Sequence, residues 1–294
     1  MKFGVVGSHG SLDQLLDMAV AAEEHGWDGF FTWDAIAIGA METWDPWVLL
    51  GAVATRTERI RLGALVFALA RRRPWKVARE ALTVDHLSGG RLVIPVGLGV
   101  LDDAGFSRVS GEVSPARERA ERLDETLTIL DRAWTGETFS FEGKHHTITD
   151  TRFLPRPVQR PRIPIWPVGG WPSERSMARA ARWDGVVLQR TGSEEPLAPK
   201  DVADAVAWLG EHRDLTGYDI AVQDVLPDDA ASARDKAASF AQAGATWWIE
   251  SRWDQATATP ENLMAVIRQG PPTVTLSRPP APARARPRRP VGRP

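Results

Sequence analysis

The sequence predicts an α/β fold, a single parallel (β/α)8 TIM barrel over residues 1–270. Short apolar runs alternate with amphipathic helical segments along most of the chain, in a unit of about 30 residues. Alternating strands and helices require a parallel sheet, and eight such units close into a barrel. An open doubly wound sheet is the alternative, but the turn at residues 4–10 supplies no GxGxxG fingerprint.

The first half of the chain supplies four strands and the helices between them. After a strand at residues 3–6, Ser11 and Gln14 fit a helix capping box, and Gly26 fits the cap at that helix's end. Further strands are expected at 30–33, 61–66 and 92–96, with helices beginning at Pro46 and Pro74. Since Pro95 has no N–H, we expect a bulge or irregular pairing at the end of the fourth strand.

The second half continues the alternation after one insertion. A long helix beginning near Ser114 carries the clearest apolar stripe in the chain. Residues 139–149 predict a β-hairpin inserted between barrel units 4 and 5. The remaining strands are expected at 164–168, 186–188, 220–223 and 246–249, and the remaining helices at 173–183, 201–213, 230–243 and 259–267.

Composition excludes several classes of protein. With 43% hydrophobic and 25% charged residues the chain can bury a full core, and the absence of cysteine excludes disulfides and Cys-based metal sites. A net charge of −2 offers no long-range field for nucleic acid or an anionic membrane. The N-terminal segment lacks a signal-like apolar core, which predicts a cytoplasmic protein. Most of the thirteen tryptophans are expected in the core.

Residues 271–294 are rich in proline and arginine and predict a disordered tail. Binding of RNA, DNA or acidic lipid by its arginines is the alternative, but a solvated tail is favoured. We therefore expect no specific nucleic-acid partner.

Residues that follow the strands are the ones to inspect, because active sites of such barrels lie at the strand C-termini. Gly97, Gly99, Gly169 and Gly170 allow close approach of a ligand, and Ser173 lies near a helix N-terminus that suits a phosphate. Glycines also serve plain turns, and Glu174 would oppose an anion, so the two interpretations stay open.

Reactive side chains are few. His9 could act as a general base, although a lone loop histidine is more often a surface residue, and His145-His146 alternate faces of the hairpin, which disfavours a metal site. Neither a nucleophile–base–acid set nor a metal constellation is evident. A cofactor is therefore expected to carry the chemistry.

Several motifs occur together in one order. RPWKVARE at residues 73–80 continues to LSGGRL at 87–92 and VGLG at 96–99. GWDGFF at 26–31, TERIRLG at 57–63 and PIW at 164–166 with a following Gly-Gly add to them. This set resembles the bacterial-luciferase-like monooxygenase superfamily, over roughly residues 1–270.

The resemblance implies a luciferase-like barrel, often a homodimer, that binds FMN or coenzyme F420 at the strand C-termini. FMN enzymes pair the reduced flavin, which a flavin reductase can supply, with oxygen, whereas F420 enzymes transfer hydride. The resemblance also implies which residues contact the cofactor. The residues expected to flank the flavin and its phosphate are Gly97, Leu98, Gly99, Gly169 and Gly170. The residues expected to form a bulge of strand 3 beneath the flavin ring are Ala64, Leu65 and Val66.

Two positions depart from the family pattern. Ala35 stands where many relatives have a histidine after Asp34, so the usual proton partner is missing. Val100 stands where sugar-phosphate dehydrogenases of the F420 branch have glutamate, which disfavours that substrate class.

We predict a monooxygenase that uses reduced FMN and oxygen on a small organic substrate. The alternatives are F420-dependent hydride transfer and a non-catalytic flavin-binding barrel. The predicted catalytic residues are Asp34 and Arg72, through polar contacts to flavin or substrate. The predicted substrate pocket consists of His9, Trp33, Trp44 and Trp171.

Overall fold

The computed structural model describes residues 1–192 and 195–274. The strands are β1 (Lys2–Val6), β2 (Gly29–Thr32), β3 (Arg61–Ala64), β4 (Ile94–Val96), β5 (Phe139–Glu142), β6 (Thr147–Thr151), β7 (Ile165–Trp171), β8 (Gly185–Arg190), β9 (Asp219–Asp224) and β10 (Trp247–Glu250). Eight of them are parallel and form one sheet in the order β3-β2-β1-β10-β9-β8-β7-β4. Two isolated bridges, from Leu62 to Leu92 and from Phe67 to Val96, join β3 to β4 and close the ring. The predicted barrel is confirmed.

The helices begin where the capping signals predict. Ser11 and Gln14 form a reciprocal capping box, and the Asp45 carboxylate accepts from the N–H groups of Trp47 and Val48. The helices are α1 (Leu12–Glu24), α2 (Pro46–Arg56), α3 (Pro74–Leu87), α4 (Ala104–Ser107), α5 (Ala116–Ala133), α6 (Glu174–Ala180), α7 (Pro199–His212), α8 (Ala230–Gln242) and α9 (Pro260–Gln269). The short α4 and a 3-10 turn at Leu69–Arg71 are not in the sequence-based prediction.

The barrel interior is filled by aromatic side chains. Phe31, Trp166 and Trp247 are fully buried, with ring centroids 5.4 to 6.4 Å apart. Edge-on and tilted contacts of this kind are favourable beyond the area they bury. The barrel interior is therefore a packed core. More than half of the tryptophans are buried, as predicted.

The inserted hairpin of β5 and β6 packs against α5. The Glu125 carboxylate accepts from the N–H groups of Lys144 and His145. His145 and His146 contact different glutamates, Glu121 and Glu125, each at 3.1 Å. The histidine pair thus attaches the hairpin to the helix.

The predicted disordered tail lies outside the described residues from position 275 onward. Among residues 1–192 and 195–274, no helix is long and apolar enough to cross a membrane.

Candidate active site

The barrel wall opens at the C-terminal ends of β4 and β7. Their pairing stops where Val96 pairs with Pro167, whereas β7 stays paired with β8 as far as Trp171 and Arg190. Pro95 and Pro167 have no N–H to donate to a ladder, which limits this pairing. A cleft of about 300 Å³ results, which we call the candidate cleft. The three pairs of β4 with β7 follow one regular register, so the bulge or irregular pairing predicted from Pro95 is not seen between these two strands.

The candidate cleft has one apolar side and one polar side. The apolar side includes Val66, Val96 and Val168, and the residues 97–100 border it. The polar side consists of Ser176, Arg179, Gln189 and Thr191. Of the predicted cofactor-binding residues, Val66, Gly97, Leu98, Gly99 and Gly170 line this cleft.

Residues 64–66, where the family resemblance implies a bulge, begin at the last pair of β2 with β3. Pairing of β2 with β3 ends at Thr32 and Ala64, the Leu65–Val66 peptide is cis, and the backbone rejoins β4 at Phe67. A Cβ on Gly97 would lie 2.7 Å from Val66 Cγ2, so glycine is required for Val66 to reach the cleft. Ala64 and Leu65 are buried and do not line it.

The other predicted glycines are explained by the protein's own packing. A Cβ on Gly170 would lie 2.6 Å from Thr191 Cγ2, and one on Gly99 would overlap the Phe106 ring. Gly169 faces α6, where a Cβ would lie 2.9 Å from Met177 Sδ. Their role in cofactor binding stays a prediction.

Ser173 occupies the N-cap of α6, but its side chain makes no capping hydrogen bond and is exposed. Ser176, one turn further along, is the serine that borders the cleft. Its hydroxyl accepts from Gly170 N at 2.9 Å and donates to the Val168 carbonyl at 3.1 Å. Sequence reasoning missed Ser176, Arg179 and Thr191, because no motif marks positions contributed by a helix interior or a strand end.

A buried ionic network, which we call the loop clamp, holds the loops on the apolar side. Its ion pairs join Asp34, Arg71, Arg72 and Asp103, and Arg119 adds hydrogen bonds to backbone carbonyl groups. Asp34 accepts from Arg71 Nη2 at 2.7 Å, from Arg72 Nη2 at 2.8 Å and from Ala68 N at 3.0 Å. Burial alone would raise the pKa of the Asp34 carboxyl, but the hydrogen bond and charge of Arg72 and the charge of Arg71 lower it below its ordinary value.

The rest of the loop clamp reaches the loop that follows β4. Arg71 Nη1 donates to Asp103 Oδ2 at 2.5 Å, and Asp103 also accepts from Ile36 N and Ala37 N. Arg119 Nη1 donates to the carbonyl oxygens of Leu98 and Gly99, both at 2.8 Å. The loops after β2, β3 and β4 are therefore fixed to one another.

Asp34 and Arg72 thus occupy a different place from the one predicted. The Asp34 side chain is fully buried, and both of its oxygens accept from protein donors, so it positions loops and does not face a ligand. Arg72 is partly exposed and shared between Asp34 and Asp45, and a catalytic role for it stays a prediction. Arg71, Asp103 and Arg119 are the partners that sequence spacing did not reveal.

The predicted substrate-pocket residues form two groups. Trp33 Nε1 donates to the Ser8 carbonyl and Trp44 Nε1 to the Gly10 carbonyl, at 2.8 and 3.0 Å. His9 Nε2 lies 3.3 Å from the Trp253 carbonyl oxygen, and the Trp253 ring packs edge-on against Trp33. These residues follow β1, β2 and β10.

Trp171, in contrast, is the last residue of β7 and packs, partly buried, against the largest cluster of buried hydrophobic residues. Among the described residues that line the candidate cleft, none is one of these four. Their role in a substrate pocket stays a prediction, and Trp253 joins His9 and Trp33 as a residue that sequence reasoning missed.

Solved structures share this fold. A monooxygenase from Streptomyces bottropensis superposes with a TM-score of 0.75 at 20% identity, covering 91% of this chain and 97% of that one. An F420-dependent secondary alcohol dehydrogenase superposes with a TM-score of 0.74 at 15% identity, with the same coverage.

Sequence relatives are closer in identity. An F420-dependent glucose-6-phosphate dehydrogenase from Microbacterium testaceum is 32% identical over 60% of this chain and 54% of its own length. The chain thus spans about half the length of that relative. An uncharacterized protein of Mycobacterium bovis is 32% identical over 77% of each chain. The model of the luciferase-like monooxygenase family matches residues 1–262. The chain therefore belongs to the luciferase-like monooxygenase family.

Proposed function

We propose that this chain is an F420-dependent oxidoreductase that transfers hydride between the deazaflavin and a small organic substrate. The candidate cleft at the mouth of the barrel is the observation that carries the proposal. Its relatives at 32 and 33% identity are named F420-dependent dehydrogenases, which favours F420 over the FMN and oxygen that the sequence analysis placed first. The FMN-bound Baeyer–Villiger monooxygenase that superposes at 15% identity supports the fold alone.

The residues of the cleft fit such a cofactor. A flavin or deazaflavin has a flat tricyclic ring, polar ring edges and a phosphorylated side chain. The half-buried valines at positions 66 and 168 offer an apolar surface to a ring face, and Ser176, Gln189 and Thr191 offer hydrogen-bonding groups. The Arg179 guanidinium at the same cleft suits the phosphate.

When bound, F420 supplies a donor or acceptor of hydride. The chain's own residues bind, orient and exclude water. The loop clamp fixes the backbone of residues 97–99 through Arg119, so the apolar side of the cleft is held in place before any ligand arrives. Val66 and Val168 of the cleft pack against the buried aromatic interior of the barrel, which fills the space below the cleft with apolar side chains.

Cofactor titration tests the proposal. We expect F420 to bind with a Kd in the micromolar range and FMN to bind at least about tenfold more weakly, measured by fluorescence quenching. Gly97→Ala should weaken F420 binding because its methyl group would crowd Val66. Gly51→Ala on α2 is the matched control, since the nearest atom to its Cβ would be 3.9 Å away.

Two outcomes contradict the proposal. Tighter binding of FMN, with oxygen consumption by the reduced flavin, would support the monooxygenase instead. Failure to bind either cofactor would support the non-catalytic barrel.

The substrate proposal follows from the exposed Val100 beside the cleft. Although two relatives are named glucose-6-phosphate dehydrogenases, valine cannot hydrogen-bond a sugar hydroxyl or take up a proton. We expect reduction of F420 by a panel of small alcohols and little or none by glucose 6-phosphate. The proposed partner is a small organic substrate. A flavin reductase would be needed only in the FMN alternative. Homodimer formation stays a prediction, which light scattering tests.

A further inference from the structure

Two helices beside the candidate cleft carry matched stripes of charged residues. On α6 and just beyond its end, Arg175, Arg179 and Arg182 follow one another at i, i+4 and i+7. On α5, Arg117, Glu121 and Asp124 have the same spacing. These spacings place each set on one helix face. The two faces line a groove of about 570 Å³, which we call the arginine groove.

The carboxylates of the arginine groove already have cationic partners. Asp124 accepts two hydrogen bonds from Arg179, at 2.6 and 3.0 Å. Glu121 contacts Lys144 at 2.7 Å, His145 at 3.1 Å and Arg117 at 3.0 Å. Hydrogen bonds from Lys144, His145 and Arg117 lower the pKa of Glu121 to about 2. The carboxylate of Glu121 is therefore ionised, and both acids already share their hydrogen bonds with basic side chains.

Arg175 and Arg182 give the groove an excess of positive charge. Both are exposed, and within residues 1–192 and 195–274 neither has an acidic partner within ion-pair distance. Their guanidinium groups keep all of their donors for a ligand, and the planar fork of arginine matches a carboxylate or phosphate.

The arginine groove adjoins the candidate cleft at Arg179. Arg179 lines both, as a residue of α6 that faces the cleft on one side and α5 on the other. A ligand that extends out of the cleft past Arg179 enters the groove between α5 and α6.

We infer that the arginine groove binds the acidic tail of F420. This inference rests on the proposed function. Beyond its phosphate F420 carries a chain of γ-linked glutamates, each with a free carboxylate, whereas FMN ends at its phosphate. A negatively charged chain leaving the cleft beside Arg179 meets Arg175 and Arg182, so the groove selects for the deazaflavin cofactor by charge.

Binding of two forms of F420 tests this inference. At low salt we expect F420 with a long glutamate tail to bind about tenfold more tightly than the form that ends at its phosphate-linked lactate, because several exposed ion pairs each add a modest increment. The advantage should shrink at high salt. In the double variant R175A/R182A most of the advantage should disappear, whereas the tail-less form should bind as it does to the wild-type chain.

The variant R56A/R59A is the matched control, since it removes two exposed arginines at the end of α2 and the following turn, and it should keep the tail advantage. Equal affinity for the two forms, or an advantage that survives in R175A/R182A, overturns the arginine groove as a tail site and leaves the proposed function standing. Failure of both forms to bind overturns the proposed function as well.

Discussion

The two sides of the candidate cleft use arginine in opposite ways. On the side of β3 and β4, Arg71 is 4% exposed and its charge is bound by Asp34 and Asp103. On the side of α6, Arg175 and Arg182 are exposed and border a groove. A buried guanidinium needs protein partners and therefore fixes backbone, whereas an exposed one stays free for a ligand. One side is thus built to be rigid, and the other is built to bind.

The largest expected loss of stability comes from removing a carboxylate of the loop clamp on the buried side. Asp34→Ala leaves the Arg71 and Arg72 guanidinium groups without their shared carboxylate in a buried site. Removing one partner of a buried ion pair costs about 3–5 kcal/mol of unfolding free energy, which urea denaturation measures. Asp204→Ala, which removes an exposed i,i+4 partner of Lys200, is the control and should change stability little.

Lowering the pH should reduce the difference in unfolding free energy between the Asp34→Ala variant and the wild-type chain. Because the pKa of Asp34 is lowered in the folded state, the stabilisation is fully present above the ordinary carboxyl value of about 3.9. It is lost as the pH falls through the lower folded-state pKa. A difference that stays constant from pH 7 to the acid limit of folding would show that Asp34 contributes through packing and not through charge.

A glycine in the loop after β4 provides a second test of how rigid the buried side of the cleft is. Gly99 and Gly111 both have positive φ angles, +76° and +89°, but only at Gly99 would a Cβ meet other atoms, those of Phe106 and Ala68. Gly99→Ala should therefore destabilise the chain by about 1–3 kcal/mol more than Gly111→Ala, which is the cost of overpacking. Thermal or urea unfolding measures the difference. Equal losses in the two variants would mean that backbone strain alone explains this glycine.

The barrel could be predicted from the sequence because its signals are local. Ser11 with Gln14, and Asp45 with the following Pro46, specify helix starts without knowledge of any distant residue. Pro95 was a less reliable signal: its missing N–H predicted a bulge or irregular pairing, but it lies in a regular register with β7.

The site could be predicted only in part because its partnerships are non-local. Asp34 and Arg72 are 38 positions apart and Asp34 and Arg71 are 37 apart, so the sequence showed charged residues near strand ends but not that they neutralise one another. Ser176 and Arg179 reach the cleft only because α6 packs beside β7. Motifs therefore located the strand ends, and tertiary packing decided which side chains face the cleft.

The smallest expected effect on stability is on the ligand-binding side of the cleft, because the interaction removed there is a neutral hydrogen bond and not an ion pair. Ser176→Ala removes the hydroxyl that connects Gly170 N to the Val168 carbonyl. The expected loss is about 1 kcal/mol of unfolding free energy, typical of one hydrogen bond. Ser239→Ala is the matched control, because its hydroxyl also donates to a carbonyl, that of Lys236, but away from the cleft. If the hydroxyl holds the strand end in place for the cofactor, Ser176→Ala weakens F420 binding and Ser239→Ala does not. Equal effects of the two variants on F420 affinity would instead assign Ser176 to general stability, and would leave Arg179, Gln189 and Thr191 as the polar side chains that bind the cofactor.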